Sequence, residues 1–230
     1  MTCLIGVIFP FVSALKARAN MESLQKLYSS TSKYVVALST PLYLFLILFS
    51  QQILRLWLGA PFAENSWLVL AFLAGGSLLA AWTMVPANTA FGTGHTKITA
   101  AFSLIVITMN VLFSVLFTLR WGATGTAAAV LLTAFQGPVF IWYVTSRVVR
   151  IPARQYFAQV FGFHIAPALG FCLLSLGILW AIKAQNGSAH LIAVASGAAL
   201  TVLYYFLLLR GGVVSVRGLS RVSEPAALHG

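Results

Sequence analysis

The sequence predicts an all-α protein: a polytopic bundle of transmembrane helices with six full spans and one partial span at the N-terminus. Three observations lead there. Of 230 residues, 60% are hydrophobic and 7% charged, whereas a soluble domain carries roughly 25% charged residues; so little charge cannot coat a water-facing surface. Six stretches, at residues 35–54, 67–87, 98–119, 122–144, 157–182 and 189–209, contain no Asp, Glu, Lys or Arg, and each is near or above the ~20 residues a helix needs to cross ~30 Å of hydrocarbon. Finally, lipid tolerates only helices or closed barrels, and barrel strands alternate polar with apolar side chains. The run Leu42-Tyr43-Leu44-Phe45-Leu46-Ile47-Leu48-Phe49 does not alternate.

Taken in order, residues 1–15 are apolar but rise only ~21 Å as a helix, too short for a crossing, and are expected to be the end of a truncated transmembrane helix. Residues 16–33 are expected to form a cytoplasmic amphipathic segment. In it Met21, Leu24, Leu27 and Tyr28 recur at three- and four-residue spacing between polar neighbours. Asn20 is placed to cap it and Glu22 to favour its first turn. It is expected to lie on the inner leaflet, or to serve as an ordinary linker helix. Residues 34–150 carry four spans, and residues 151–230 carry two more and a basic tail.

Charge orients the bundle. The segments between spans hold 14 Lys and Arg, eleven on one side and three on the other (Arg55, Arg120 and Lys183). The positive-inside rule therefore places residues 16–33, the loop at 92–97, residues 145–156 and the C-terminus in the cytoplasm. The net charge of +11 does not indicate nucleic-acid binding, which needs a basic stripe on a soluble surface. Trp57, Trp67, Trp121, Tyr34 and Tyr156, at span ends, fit interfacial belts.

Little in the chain points to catalysis. The acids are Glu22, Glu64 and Glu224; the first two fall on opposite sides of the membrane, and no Ser/His/Asp grouping occurs. Cys3 and Cys172 form no CxxC pair and lack ligand-spaced His. No metal or cofactor is expected, and the chain is not expected to be an enzyme. Gly92-Thr93-Gly94-His95-Thr96-Lys97 lacks the glycine spacing and following Ser/Thr of a phosphate loop, and is a turn between spans.

Polar and kinking residues within spans are more informative. Pro41, Pro86, Pro138 and Pro167 each remove a helix hydrogen bond, suiting helices that bend around a midplane site, or plain packing kinks. Asn88, Asn110 and Gln136 should face other helices or a wet cavity rather than lipid, either bonding sugar hydroxyls or joining helices. With Arg55 at an outer span end they are the candidate cavity residues. His164 is expected to be a satisfied packing residue near the interface, the alternative of a proton relay being disfavoured by the lack of an acidic partner.

At this point the residues resemble a family. Phe9-Pro10-Phe11-Val12-Ser13-Ala14-Leu15 precedes a polar helix and a span with an early proline. That span ends in Leu54-Arg55-Leu56-Trp57-Leu58-Gly59-Ala60-Pro61-Phe62-Ala63. Asn88 to Lys97 follows, then Trp121-Gly122-Ala123-Thr124-Gly125-Thr126-Ala127-Ala128-Ala129. This pattern is similar to the second half of polysaccharide (O-antigen/oligosaccharide) flippases of the multidrug/oligosaccharidyl-lipid/polysaccharide exporter superfamily. The resemblance implies two helical lobes around a cavity, of which this chain would be the C-terminal one, with an N-terminal lobe missing or on a separate chain. It further implies a multi-pass protein of the bacterial inner membrane that moves undecaprenyl-pyrophosphate-linked oligosaccharide, with membrane lipid and that glycolipid as partners. The alternatives are a cation-coupled multidrug exporter of the same superfamily, which the lack of an intramembrane carboxylate disfavours, and a membrane-embedded glycan polymerase or acyltransferase, which would need a large outer loop.

Overall fold

The computed structural model describes residues 21–183 and 190–210. Those residues contain no strand; they are helices joined by short turns. We number them α1 (Met21–Leu48), α2 (Ser50–Leu58), α3 (Ala60–Gly92), α4 (Thr96–Ala134), α5 (Gly137–Tyr143) with a π-helical turn (Val144–Val148), α6 (Ala153–Val160), α7 (Gly162–Lys183) and α8 (His190–Arg210). The partial span at residues 1–15, Asn20 and the basic tail beyond residue 210 lie outside the described residues.

Among the described residues, five segments are long and apolar enough to cross a membrane: Met21–Leu48, Ala60–Gly92, Thr96–Val148, Gly162–Ala181 and His190–Leu208. The third holds two of the six stretches read from the sequence. Its 53 residues would rise about 80 Å as one helix, more than twice the hydrocarbon thickness. It does not stay straight. At Gly122 the backbone turns to φ 58°, ψ −139°, a region that is essentially open to glycine alone. Side chains placed symmetrically about that residue then meet: Thr118 Oγ1 lies 2.6 Å from Thr126 Oγ1, and Asn110 Nδ2 donates to Thr133 Oγ1 at 3.1 Å. α4 is therefore an antiparallel hairpin, and the all-α polytopic bundle stands.

Other boundaries depart from the sequence reading. The amphipathic segment is not separate; it forms the opening turns of α1, continuous with the first span. Its apolar face meets protein instead of lipid. Leu24, Leu27 and Tyr28 are buried, the Tyr28 ring stacks on Tyr156 at 5.1 Å, and the Tyr28 hydroxyl lies 2.8 Å from Thr145 Oγ1. Tyr156, expected in an interfacial belt, is likewise buried. Burial pushes its phenol above the usual tyrosine range, so the ring is a neutral stacking group.

The apolar stretch at residues 35–54 is divided between α1 and α2 by a break at Phe49, and the stretch at residues 157–182 is divided between α6 and α7 by a break at Phe161. Pro41, Pro86 and Pro167 lie inside helices that run on past them. Pro138 instead opens α5, where a missing N–H leaves no helix bond unmade. Two apolar clusters hold the bundle. One gathers Tyr28, Val85, Phe140, Val144, Tyr156 and neighbours from α1, α3, α5 and α6. The other joins α1 to α7 and α8 through Ala37, Phe171, Tyr204 and Leu208.

Candidate functional site

Much of the first arm of α4 faces outward. Leu104 is 66% exposed, Ile107 60% and Leu119 84%, which in water would be an untenable apolar surface and in lipid is the ordinary one. Against that background, a largely apolar crevice between α3, the α4 hairpin and α5, dotted with a few hydroxyls and an amide, stands out. It comprises two adjoining hollows of about 230 and 300 Å³ that share Thr83, Phe102 and Val106. Asn110 and Thr133 line one, Thr99 and Ser103 the other. The walls are otherwise apolar.

Local chemistry explains how these groups stay in a membrane segment. Thr83 donates its hydroxyl to the Ala80 carbonyl and Thr133 donates to Ala129, so each is satisfied on its own helix. Thr133 also accepts from Asn110 Nδ2, which pins the two arms together. Asn110 Oδ1 has no protein partner among the described residues, leaving one acceptor for a guest in the crevice. Gly76 permits the close approach of α3: a Cβ there would stand 3.1 Å from Val130.

The four candidates do not converge. Asn110 alone lines the crevice. Asn88 donates to its own helix at the Met84 carbonyl, 2.8 Å away. Gln136 occupies the turn before α5 and its side chain does not cap that helix. Arg55 lies at the opposite end of the bundle from the α1 N-terminus. There its Nη2 meets Glu64 Oε1 at 3.0 Å and its Nη1 donates to His190 Nε2 at 3.2 Å; a guanidinium has no acceptor, so that imidazole nitrogen must accept. Arg55 thus clasps α2, α3 and α8 together. His164 is packed, at 3% exposed, but it is not the satisfied residue expected, because neither ring nitrogen is hydrogen-bonded.

The sequence reading missed Thr83, Ser103 and Thr133. Hydroxyls are common in membrane helices because they bond their own backbone, so their types alone give no signal. The usable signal was register: Asn110 and Thr133 lie twelve residues before and eleven after Gly122, so a hairpin pivoting there must bring them together.

Comparison with known proteins gives this geometry its context. Residues 1–207 match the family described as Lipid II flippase MurJ. A probable low-salt glycan biosynthesis flippase, Agl15, from Haloferax volcanii is 23% identical over 204 residues, covering 87% of this chain and 41% of the relative. The chain thus spans about two fifths of that relative's length. No solved structure matches significantly. Both the family and the relative are described as flippases, and neither singles out the O-antigen branch that the sequence resembles. With the match extending over most of its length, the chain belongs to the lipid II flippase MurJ family, a family of membrane transporters and not of enzymes.

Proposed function

We propose that this chain is the C-terminal lobe of a flippase that moves a polyprenyl-pyrophosphate-linked glycan from the inner to the outer leaflet of a bacterial inner membrane. The cargo in this reading is an undecaprenyl-pyrophosphate-linked oligosaccharide destined for surface polysaccharide, and the C-terminus is cytoplasmic. The remaining lobe comes from elsewhere in the transporter.

The family match over residues 1–207 carries the reading. The crevice supports it physically. A sugar head is too polar to enter hydrocarbon unaided, and a transporter must offer it hydroxyls and amides within the membrane. Thr83, Thr99, Ser103 and Asn110 supply such groups on an apolar helical face. They carry no charge, so this lobe would contact sugar hydroxyls and leave most of the pyrophosphate charge to its partner lobe. Depleting the transporter in its host tests the proposal: untranslocated lipid-linked glycan should accumulate on the inner leaflet and surface glycan should fall. Normal surface glycan after depletion would overturn it.

A further inference from the structure

Apart from the membrane crevice, the structure contains a more polar hollow, at the end of the bundle where α1 begins. It has a volume of about 440 Å³ and is bounded by the opening turns of α1, the link at residues 150–152 and α6. That volume falls within the roughly 300–1,000 Å³ of small-ligand sites. Its lining includes Gln25, Ser29, Ser30, Gln155, Gln159 and Arg150. Carboxamides and hydroxyls both donate and accept, which is the chemistry that hydroxyl-rich ligands need. Gln155 and Gln159 are one helical turn apart and share a face of α6.

Arg150 distinguishes this hollow from an ordinary wet surface. Its φ is 60°, a left-handed conformation uncommon for any residue other than glycine. Surrounding bonds hold it there: Gln25 Nε2 donates to the Val149 carbonyl at 3.0 Å and to the Arg150 carbonyl at 3.4 Å, and the Ile151 N–H donates to the Thr145 carbonyl at 3.0 Å. The π-helical turn stands just before it, and the Tyr28 and Tyr156 rings stack at 5.1 Å between α1 and α6, the two helices that wall the hollow. Arg150 stands just after the C-cap Val149 of that turn, a place where helices commonly end on a left-handed residue, and the bonds fix its backbone beside the hollow.

The charge balance points the same way. The described residues include two carboxylates. Glu22 is taken by Lys26 at 2.6 Å and Glu64 by Arg55 at 3.0 Å. The Arg150 guanidinium therefore makes no ion pair with a carboxylate among the described residues. The hollow it borders is lined by carboxamides and hydroxyls together with the mutually paired Glu22 and Lys26, which leaves Arg150 as its uncompensated charge. Its planar fork suits two oxygens of one phosphate.

We infer that this hollow binds the phosphate-linked saccharide head of a glycolipid at the membrane surface, before the head enters the crevice between helices. Arg150 takes the phosphate, and Gln155 and Gln159 take sugar hydroxyls. The inference rests on the flippase reading for the direction of traffic, and its geometry stands apart from it.

The test uses the complete transporter in nanodiscs, with three probes. These are polyprenyl-pyrophosphate-linked N-acetylglucosamine, free N-acetylglucosamine 1-phosphate, and phosphatidylglycerol without sugar. The key variant is Arg150→Gly, which removes the guanidinium and relieves the positive φ, so folding is kept. A charge-assisted hydrogen bond is worth about 1.5–3 kcal/mol, hence a tenfold to hundredfold weakening. Binding of a sugar phosphate should weaken by at least tenfold in Arg150→Gly and by several-fold in Gln155→Ala/Gln159→Ala, with thermal stability unchanged. Loss with the lipid-linked probe alone identifies the glycolipid as ligand; loss with the free sugar phosphate as well shows that the head suffices. Unchanged affinity in both variants, or equal competition by phosphatidylglycerol, overturns the site. Transport and binding are read separately. Transport intact with affinity unaltered in Arg150→Gly removes this site alone, while sugar-phosphate binding without transport removes the flippase reading and leaves the site.

Discussion

Replacing Gly125 by Ala should open the α4 hairpin. A Cβ at that position would lie 2.5 Å from the Phe117 carbonyl carbon, closer still to its oxygen, and 3.1 Å from the Phe117 Cβ. Ordinary carbon contacts sit near 3.5–4.0 Å, so the two arms must part by about 1 Å. The obstacle is backbone, which cannot swing aside like a flexible side chain. Overpacking of this kind costs about 1–3 kcal/mol. Parting the arms also loosens the Thr118–Thr126 and Asn110–Thr133 bonds, each worth roughly 0.6 kcal/mol between membrane helices. The expected total is about 2–4 kcal/mol. The matched control is Gly177→Ala in α7, where a new Cβ meets nothing within 4 Å and helix propensity improves by up to about 1 kcal/mol. Unfolding in mixed micelles with rising denaturing detergent, read by circular dichroism, would place Gly125→Ala clearly below wild type and Gly177→Ala at or above it. Equal midpoints for Gly125→Ala and wild type would show that the arms do not pack as described.

Three further outcomes follow from the same structure. Gly122→Ala forces a side chain into φ 58°, ψ −139° and should destabilise by about 1–3 kcal/mol in the same unfolding assay, with no change for Gly162→Ala, whose Cβ would meet open space. Tyr28→Phe strands Thr145 Oγ1 in a buried site and should destabilise by about 1–2 kcal/mol; in a double-mutant cycle with Thr145→Val the two effects should be clearly non-additive. Single cysteines at Gly94 and Arg150 should react with an impermeant thiol reagent from one side of the membrane, and cysteines at Gly59 and Gly122 from the other, because the hairpin turn at Gly122 separates two spans.

Those residues also show how far the sequence could be read. The six apolar stretches were plain because uncharged runs that long have few other uses, and the reversal at Gly122 was foreshadowed by a charged and aromatic boundary at Arg120-Trp121. The role of Leu24, Leu27 and Tyr28 was not. An apolar stripe looks the same whether it meets lipid or protein, and its partner, Tyr156, lies far along the chain. The breaks at Phe49 and Phe161 were hidden for a similar reason. Phe49 is fully buried and its ring fills the space left by Gly197 on α8, where a Cβ would stand 2.7 Å from it. Prolines mark where a helix is weakened; distant packing decides where it breaks.

The site was legible by residue type and obscure by grouping. Amides within spans were conspicuous, so Asn88, Asn110 and Gln136 were easy to select. Only Asn110 reaches the crevice, because Asn88 bonds its own backbone and Gln136 sits in a turn. Arg55 was marked by its charge, yet Glu64 and His190 occupy it. Arg150 was counted as one more cytoplasmic cation; its backbone and lack of a counter-ion emerged only in three dimensions.

The most direct measurement is flipping itself. The complete transporter would be placed in proteoliposomes carrying a fluorescent polyprenyl-pyrophosphate-linked sugar in both leaflets, and a glycosidase added outside. The account predicts that digestion will run past the outer-leaflet share towards completion, and that disrupting the crevice with Asn110→Leu/Thr83→Val will slow it. Digestion that halts at the outer-leaflet share, with the wild-type protein folded and inserted, would contradict it.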